Sequence, residues 1–115
     1  MIQSKETVSA VSWGQGCKAW ALHADDTLSV KHEEMPSGTC EVRHYHEQAQ
    51  QFFFVLAGVL VLEVAGQRHL LRSQNGLAIA PKAPHQAIND SSEPVEFLVI
   101  STPPTDGDRV EADAV

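Results

Sequence analysis

The stretch GTCEVRHYHEQAQQFFFVLAG, residues 38–58, places two histidines one residue apart, then a short polar run, then an unbroken apolar block. Side chains at positions i and i+2 of a β-strand point to the same face, about 6.6 Å apart. His44 and His46 can therefore converge on one metal ion through bonds of about 2.1 Å. A lone His-x-His pair also occurs as ordinary surface or core histidines, so the pair by itself does not define a site.

The polar run after the histidines predicts a bend in the chain. Gln51 lies five residues after His46, and this odd spacing would put the two on opposite faces of one continuous strand. With a bend at residues 47–50, Gln51 begins a second strand and returns to the same interior, where Phe53 and Val55 share its face. The other face is also apolar, with Phe52, Phe54 and Leu56. Such a strand is expected to be covered by the barrel interior on one side and by a second sheet or a partner subunit on the other.

Short apolar or alternating runs recur along the whole chain, separated by Gly, Pro, Asn and Asp, and no segment shows a convincing helical period. About ten short strands at this spacing predict an all-β fold, a small antiparallel barrel or sandwich. A composition of 43% apolar and 20% charged residues suits one domain with a buried core. We expect a single domain over residues 1–115, with the core at about 7–101 and a C-terminal arm at 102–115. The predicted strands are Thr7–Trp13, Lys18–Leu22, Thr27–Glu34, Cys40–His46, Gln51–Leu56, Val59–Val64, Arg68–Arg72, Gly76–Ala80, Ala83–Asn89 and Val95–Ser101.

A second stretch, GLAIAPKAPHQAIN at residues 76–89, is an apolar strand, a turn bounded by two prolines, and a histidine that opens an alternating segment. With both stretches in order, the chain resembles the cupin superfamily over roughly residues 27–101. The first cupin motif has Gly, five residues, His-x-His, three or four residues, Glu, six residues and Gly; it fits from Gly38 to Gly58, with Gln51 in place of the glutamate. The second motif fits at His85 and Asn89, with a looser match in its turn. The resemblance implies a small antiparallel β-barrel of the jelly-roll type with a metal inside.

The metal ligands that the resemblance implies are His44, His46, Gln51 and His85, and the implied ion is a divalent metal such as Fe, Mn, Ni or Zn. Three neutral nitrogens and an amide oxygen leave the charge of the ion uncompensated, which predicts a stronger Lewis acid that is held more weakly. A glutamate can also act as a general base, whereas Gln51 cannot. Some cupins with glutamine here open unsaturated uronates in pectin and alginate breakdown; they carry an aspartate near the last strand, and residues 97–104 of this chain contain no carboxylate.

Strand alternation predicts the rest of the pocket lining. Val42, Phe53 and Phe97 are expected to form its apolar walls, and Glu41 is expected to face the other way. Glu63 is the one nearby carboxylate that alternation does not exclude as a catalytic group, although a hairpin at residues 65–66 would pair it with a surface arginine.

Five residues are weaker candidates. His32 is expected either at the pocket rim or in an ordinary structural role. Trp13 and Trp20 are interpreted as core or interface aromatics, with ligand stacking as the alternative. Asp106 and Arg109 in the arm would reach over the barrel mouth only if the arm folds back, and a solvated arm is the simpler expectation.

The charge of the chain limits its partners. Eight Lys and Arg against fifteen Asp and Glu give a net charge of −7, and no basic run is present, so nucleic acid and anionic membranes are excluded as expected partners. The apolar run at residues 52–62 is too short for a bilayer span, and no signal pattern opens the chain, so the cytoplasm is the expected compartment. The expected partners are a small-molecule ligand or substrate and, from the doubly apolar strand at residues 51–56, a second copy of the chain in a homodimer.

Two functions fit these features. The first is a mononuclear metal enzyme that acts on a small polar organic molecule by oxygenation or metal-assisted isomerisation. The second is a non-catalytic module or sensor that binds a sugar-like molecule or an organic acid. A cupin fold is compatible with both, because one fold supports many functions.

Overall fold

The computed structural model describes all of residues 1–115. It consists of twelve strands and no helix, which confirms the all-β prediction; accordingly, no helix is present that is long and apolar enough to cross a membrane. The strands are β1 (Val11–Trp13), β2 (Cys17–Ala24), β3 (Ser29–Met35), β4 (Thr39–Cys40), β5 (His44–Tyr45), β6 (Gln50–Ala57), β7 (Leu60–Val64), β8 (Gln67–Leu71), β9 (Gly76–Ile79), β10 (His85–Asn89), β11 (Val95–Thr102) and β12 (Val110–Glu111).

Two antiparallel sheets form the barrel. The first sheet has the strand order β1-β2-β3-β11-β6-β9, and the second has the order β12-β5-β10-β7-β8, with β4 also paired to β10. Neighbours in the sheets are mostly distant in sequence, as in β3 beside β11 and β5 beside β10. This arrangement is the jelly roll expected for the fold class.

The core lies between the two sheets, where alternate side chains of each strand point inward. In β11 the inward residues are Val95, Phe97, Val99 and Ser101, all buried, as the alternation predicts. Burial of each large apolar side chain contributes about 2 kcal/mol before entropy is counted, so this layer holds the barrel together. The core cluster contains Cys17, Met35, Phe53, Val55, Leu60, Leu62, Leu71, Ile79, Ala87, Val95, Phe97 and Val99.

The predicted single strand Cys40–His46 is wrong, because the chain leaves the sheet between β4 and β5. At the break the Glu41 amide donates to the Ala87 carbonyl at 3.1 Å, and the Ala87 amide donates to the Glu41 carboxylate at 2.9 Å. The Glu41 side chain thus takes a hydrogen bond that a backbone carbonyl would accept in a regular ladder. The interruption shifts the alternation of inward and outward side chains ahead of His44.

The C-terminal arm is attached to the barrel at two levels. Its strand β12 pairs with β5, where Val110 lies opposite Tyr45. Just before β12, the Asp108 carboxylate accepts hydrogen bonds from three successive amides, at 2.7, 3.0 and 3.0 Å. The amides belong to Glu47, Gln48 and Ala49, the segment that was predicted to be the bend. The arm therefore folds back over the end of the barrel.

Candidate metal centre

The structure brings three histidines together inside the barrel. His44 begins β5 and lies opposite His85, the first residue of β10, while His46 follows β5 directly. One ring nitrogen from each histidine lies within 4.8 Å of the corresponding atom of the other two, and all three side chains are buried. The ring centroids are 4.5 to 5.6 Å apart.

The orientation of each imidazole is fixed by a backbone carbonyl. The Nδ1 atoms of His44 and His85 donate to the carbonyls of Val42 and Ala83 at 2.7 and 3.0 Å, and that of His46 donates to the Asp108 carbonyl. A carbonyl can only accept, so each Nδ1 carries the proton and each Nε2 keeps its lone pair. The Nε2 atoms of His46 and His85 are buried and have no hydrogen-bond partner. Fixing the second nitrogen in this way is how proteins orient histidine ligands of metals.

Two of these histidines are held in the neutral form that a metal ligand needs. Burial lowers the pKa of His44 to about 3 and that of His85 to about 4, against the smaller opposing effect of their carbonyl partners. The imidazoles of His44 and His85 are therefore neutral throughout the physiological pH range.

Gln51 adds an oxygen to the same space. It is buried at the start of β6, and its Nε2 donates to the Ser101 hydroxyl at 3.1 Å. Its Oε1 is buried without any donor. A buried acceptor without a partner costs stability, so a group that accepts its lone pair is expected to occupy this position. The unpartnered nitrogens and this oxygen fit a divalent cation.

The cavity over this cluster has a volume of about 140 Å³. Phe53 and Phe97 lie on its wall with their rings stacked at 5.8 Å, and Phe53 meets the His85 ring edge-on at 6.2 Å. Val42, predicted as a third wall, is 54% exposed and does not line the cavity. The break before β5 turns Glu41 inward in its place.

The polar half of the cavity was not expected from the sequence. Lys31, Glu33, Glu41 and Arg109 line it together with His44 and His46. Lys31 and Glu33 share the inward face of β3 with Ser29, which is buried. Strand alternation through buried Ser29 and Met35 is the signal that would have found Lys31 and Glu33, whereas Arg109 was named only as an alternative that required the arm to fold back.

The two cavity carboxylates have raised pKa values. Burial raises the pKa of Glu33 to about 7, although Lys31 and Arg109 oppose the shift, and no hydrogen bond stabilises the charged form. Burial also raises the pKa of Glu41 to about 8, against the opposing hydrogen bond from the Ala87 amide. A carboxyl group with a pKa near neutrality can both give and take a proton at the pH of the cell.

The other candidates lie outside this site. Glu63 is buried on the second sheet, bound by Arg43 through Nε at 2.7 Å and Nη2 at 3.1 Å, and it does not line the cavity. His32 points to the outer face of the first sheet, where it contacts Glu96 at 2.8 Å and the edge of Trp20.

Trp13 and Arg109 do line the cavity, while Asp106 does not. The arm is not the fully solvated segment that was expected. Arg109 itself stays exposed to solvent on one side, and its Nη2 donates to the Val42 carbonyl over a long 3.4 Å.

The family follows from a comparison with known sequences. The family model of the cupin domain matches residues 31–101, well over half of the chain. The chain belongs to the cupin family. A search of curated proteins found no match to this cupin.

Solved structures share the fold at low sequence identity. KdgF from Halomonas sp. superposes with a TM-score of 0.84 at 15% identity, covering 93% of this cupin and 98% of that chain. A sugar phosphate isomerase of the cupin superfamily from Silicibacter pomeroyi has a TM-score of 0.77 at 22% identity, covering 89% and 75%. A predicted oxalate decarboxylase from Thermotoga maritima has a TM-score of 0.80 at 16% identity, covering 90% and 100%. At these identities the likeness establishes the fold alone.

Proposed function

We propose that this cupin is a mononuclear divalent-metal enzyme that acts on a small polar organic molecule, with His44, His46, His85 and Gln51 as the ligands of Fe, Mn, Ni or Zn. The observation that carries the proposal is a set of buried atoms whose lone pairs have no partner. They are Nε2 of His46 and His85, and Oε1 of Gln51. A divalent ion bound there would serve as a Lewis acid toward an oxygen of the substrate.

Proton transfer by Glu33 would distinguish between the two candidate reactions, oxygenation and metal-assisted isomerisation. Gln51 cannot act as a base, but Glu33 lines the same cavity and makes neither a hydrogen bond nor an ion pair. Its carboxylate would take a proton from a substrate carbon next to a carbonyl group and return it to the neighbouring atom, with no net oxidation. Glu33 therefore favours metal-assisted isomerisation over dioxygenase-like chemistry.

A non-catalytic binding module is the second candidate. It is favoured by Gln51, since a neutral amide stands where most relatives of this motif carry a carboxylate. In that case the cavity would hold a metal-bound sugar-like molecule or organic acid, and Glu33 would only donate a hydrogen bond to it.

Metal analysis is the first test of the proposal. Protein purified without a histidine tag is expected to hold close to one divalent ion per chain, and His44→Ala is expected to hold none. His69→Ala is the matched control, because His69 lies on β8 and does not line the cavity. An empty wild-type protein, or unchanged occupancy in His44→Ala with its fold intact by circular dichroism, would contradict the metal site.

The reaction type is tested on the loaded protein. Diketones, uronates and phenolics are incubated in D₂O with Fe(II)-, Mn(II)-, Ni(II)- or Zn(II)-loaded enzyme while NMR follows deuterium incorporation and an electrode follows oxygen. Deuterium exchange without oxygen uptake supports isomerisation. Oxygen uptake contradicts it in favour of oxygenation, and binding without either change supports the non-catalytic module.

We also propose that this cupin forms a homodimer through the outer face of the first sheet. Phe52 and Phe54 stack there at 6.5 Å, and Phe52 is 39% exposed. Leu98 and Ile100 of β11 are the register partners of Phe54 and Phe52, and both are only half-buried. A single exposed apolar face of this kind fits a second copy of the same chain. Light scattering is expected to give twice the mass of the chain at micromolar concentration, and the monomer mass would contradict the proposal.

A further inference from the structure

The mouth of the metal-centre cavity is lined by Trp13, Lys31 and Arg109, three hydrogen-bond donors that no carboxylate of the chain binds. Trp13 lines the cavity, and its Nε1 atom is buried without a partner. Lys31 and Arg109 line it as well, and neither belongs to any ion pair of the chain. Three donors of this kind on one opening match a ligand group that only accepts.

A second, larger cavity continues outward from this mouth. It has a volume of about 420 Å³ and shares Trp13, Lys31, Glu33, Glu41 and Arg109 with the inner cavity. Its outer wall is formed by alanines, because Ala19 and Ala21 of β2 lie opposite Glu33 and Lys31 of β3. The small side chains leave room there for a ligand that extends from the metal centre to the mouth.

Arg109 is positioned by the residues on both sides of it. Asp108 is fixed by the three amides of residues 47–49, and its carbonyl accepts the Nδ1 proton of His46. After Arg109, Val110 pairs with Tyr45, and the Ala112 amide donates to the Arg43 carbonyl at 2.9 Å. The guanidinium is thus presented at the mouth by backbone that is tied to the same segment as His46.

The charge at the mouth favours an anion in a chain whose net charge is −7. Lys31 and Arg109 carry full positive charges, whereas Glu33 has a pKa of about 7 through burial and carries only a partial negative charge at neutral pH. A singly charged carboxylate suits this setting better than a phosphate, because the second charge of a phosphate would be repelled by the nearby glutamates.

We infer that Lys31, Arg109 and the Trp13 indole bind a carboxylate at the end of the substrate remote from the metal. The inference rests on the proposed metal centre, and it narrows the substrate to a small organic acid. One end of that acid carries the oxygens that chelate the ion, and the other carries a carboxylate between the arm and β3. In this arrangement Lys31 and Arg109 determine specificity without contacting the reacting atoms.

Two keto acids with the same chelating end provide the test. 2-Oxoglutarate carries a distal carboxylate, and 5-methyl-2-oxohexanoate carries an isopropyl group of the same shape in its place. Calorimetry on the Ni(II)-loaded protein is expected to show 2-oxoglutarate binding about tenfold more tightly or better, as for a charge-assisted hydrogen-bonded pair that is open to solvent on one side. Arg109→Gln and Lys31→Gln are each expected to weaken that preference and to leave the affinity for the isopropyl compound unchanged.

The controls separate this inference from the metal centre. Arg68→Gln and Lys18→Gln remove the same charges at positions that do not line either cavity, and both are expected to keep the full preference. The carboxylate site would be overturned if the two acids bound with equal affinity to protein that holds close to one Ni(II) per chain. That result would not contradict the metal centre. A protein that holds no Ni(II) and binds neither acid would overturn both.

Discussion

Two glutamates of this cupin are withdrawn from water in opposite surroundings. Glu63 is buried on the second sheet, where it accepts two hydrogen bonds from Arg43 and one from the Gly66 amide at 2.6 Å. Glu33 is half-buried on the first sheet and has no such partner. The hydrogen bonds from Arg43 lower the pKa of Glu63, whereas burial raises the pKa of Glu33 to about 7.

The comparison shows that burial alone does not identify a carboxylate that takes part in binding or catalysis. Both carboxylate oxygens of Glu63 accept hydrogen bonds, three in all, so the group is held in its charged form and stabilises the fold. Glu33 lacks these donors and faces a cavity, and the barrel tolerates the cost of its charge. A carboxyl group that is buried without hydrogen-bond donors is typical of a ligand-binding or catalytic site.

Replacing each glutamate by its amide gives the largest expected difference. Glu33→Gln removes the proton carrier and is expected to lower the rate of deuterium exchange into substrate by about 100-fold or more. Glu63→Gln leaves the cavity unchanged and is expected to keep the rate within about twofold of the wild type. The measurement is NMR exchange under saturating substrate, with metal content determined for every sample.

A second variant guards against a purely structural effect of Glu33. Glu33→Asp keeps the carboxyl group one methylene further from the cavity, so it is expected to recover part of the rate that Glu33→Gln loses. Equal rates of deuterium exchange in the wild type and Glu33→Gln would contradict the proposal that Glu33 carries the proton.

The second-largest expected difference between Glu33 and Glu63 is in how each affects the pH dependence of stability. The folded-state pKa of Glu33 is raised from 4.5 to about 7, so the protonated form is stabilising and this contribution is lost as the pH rises through that interval. Glu33→Gln is therefore expected to be more stable than the wild type by on the order of 2 kcal/mol at pH 8, and about equal to it at pH 4. Urea unfolding at the two pH values measures this, and the same difference at both would contradict the raised pKa.

The residue pattern was sufficient to predict the barrel, and the cupin resemblance was needed to predict that His85 meets His44 and His46. Alternation placed Gln51 and Phe53 on one face of β6 and Phe97 on the inner face of β11, and the bend lies at residues 47–49, within the polar run 47–50 that predicts it. These inferences hold because side-chain direction in a regular strand depends only on residue parity.

The inferences that failed lie where parity breaks or where both faces of a strand are covered. The break between β4 and β5 exchanges Val42 for Glu41 at the cavity, since the Glu41 carboxylate binds the Ala87 amide. On β3, His32 takes the ordinary structural role that was one of its two expectations, whereas Glu33 on the inward face was not named as a candidate. The outer face of that strand is itself covered, because His32 packs against Trp20.

The arm could not be placed from the sequence at all. Its attachment depends on the Asp108 carboxylate meeting three amides that the bend at residues 47–50 leaves free, and that match exists only in three dimensions. Local sequence patterns do not predict contacts between segments about 60 residues apart, so Arg109 could be named only as an alternative.

The smallest expected effect is the stability change from Glu63→Gln, and its pH profile should be the reverse of that for Glu33. The folded-state pKa of Glu63 is lowered, so the stabilisation by Arg43 is present above the ordinary pKa of 4.5 and is lost as the pH falls through the lowered value. Glu63→Gln turns an amide group toward the Arg43 and Gly66 donors and is expected to cost about 1 kcal/mol at pH 7, because the amide oxygen can still accept from one of these donors. The cost should shrink as the pH falls through the lowered pKa of Glu63, below which the wild-type carboxylate itself is protonated. Urea unfolding of the variant beside Glu47→Gln, an exposed glutamate whose side chain makes no hydrogen bond or ion pair, isolates the contribution of the pair from a general charge effect. A cost that stays the same from pH 7 down through the lowered pKa would mean that Glu63 contributes by packing alone. The contrast between a paired and an unpaired glutamate would then rest on Glu33 only.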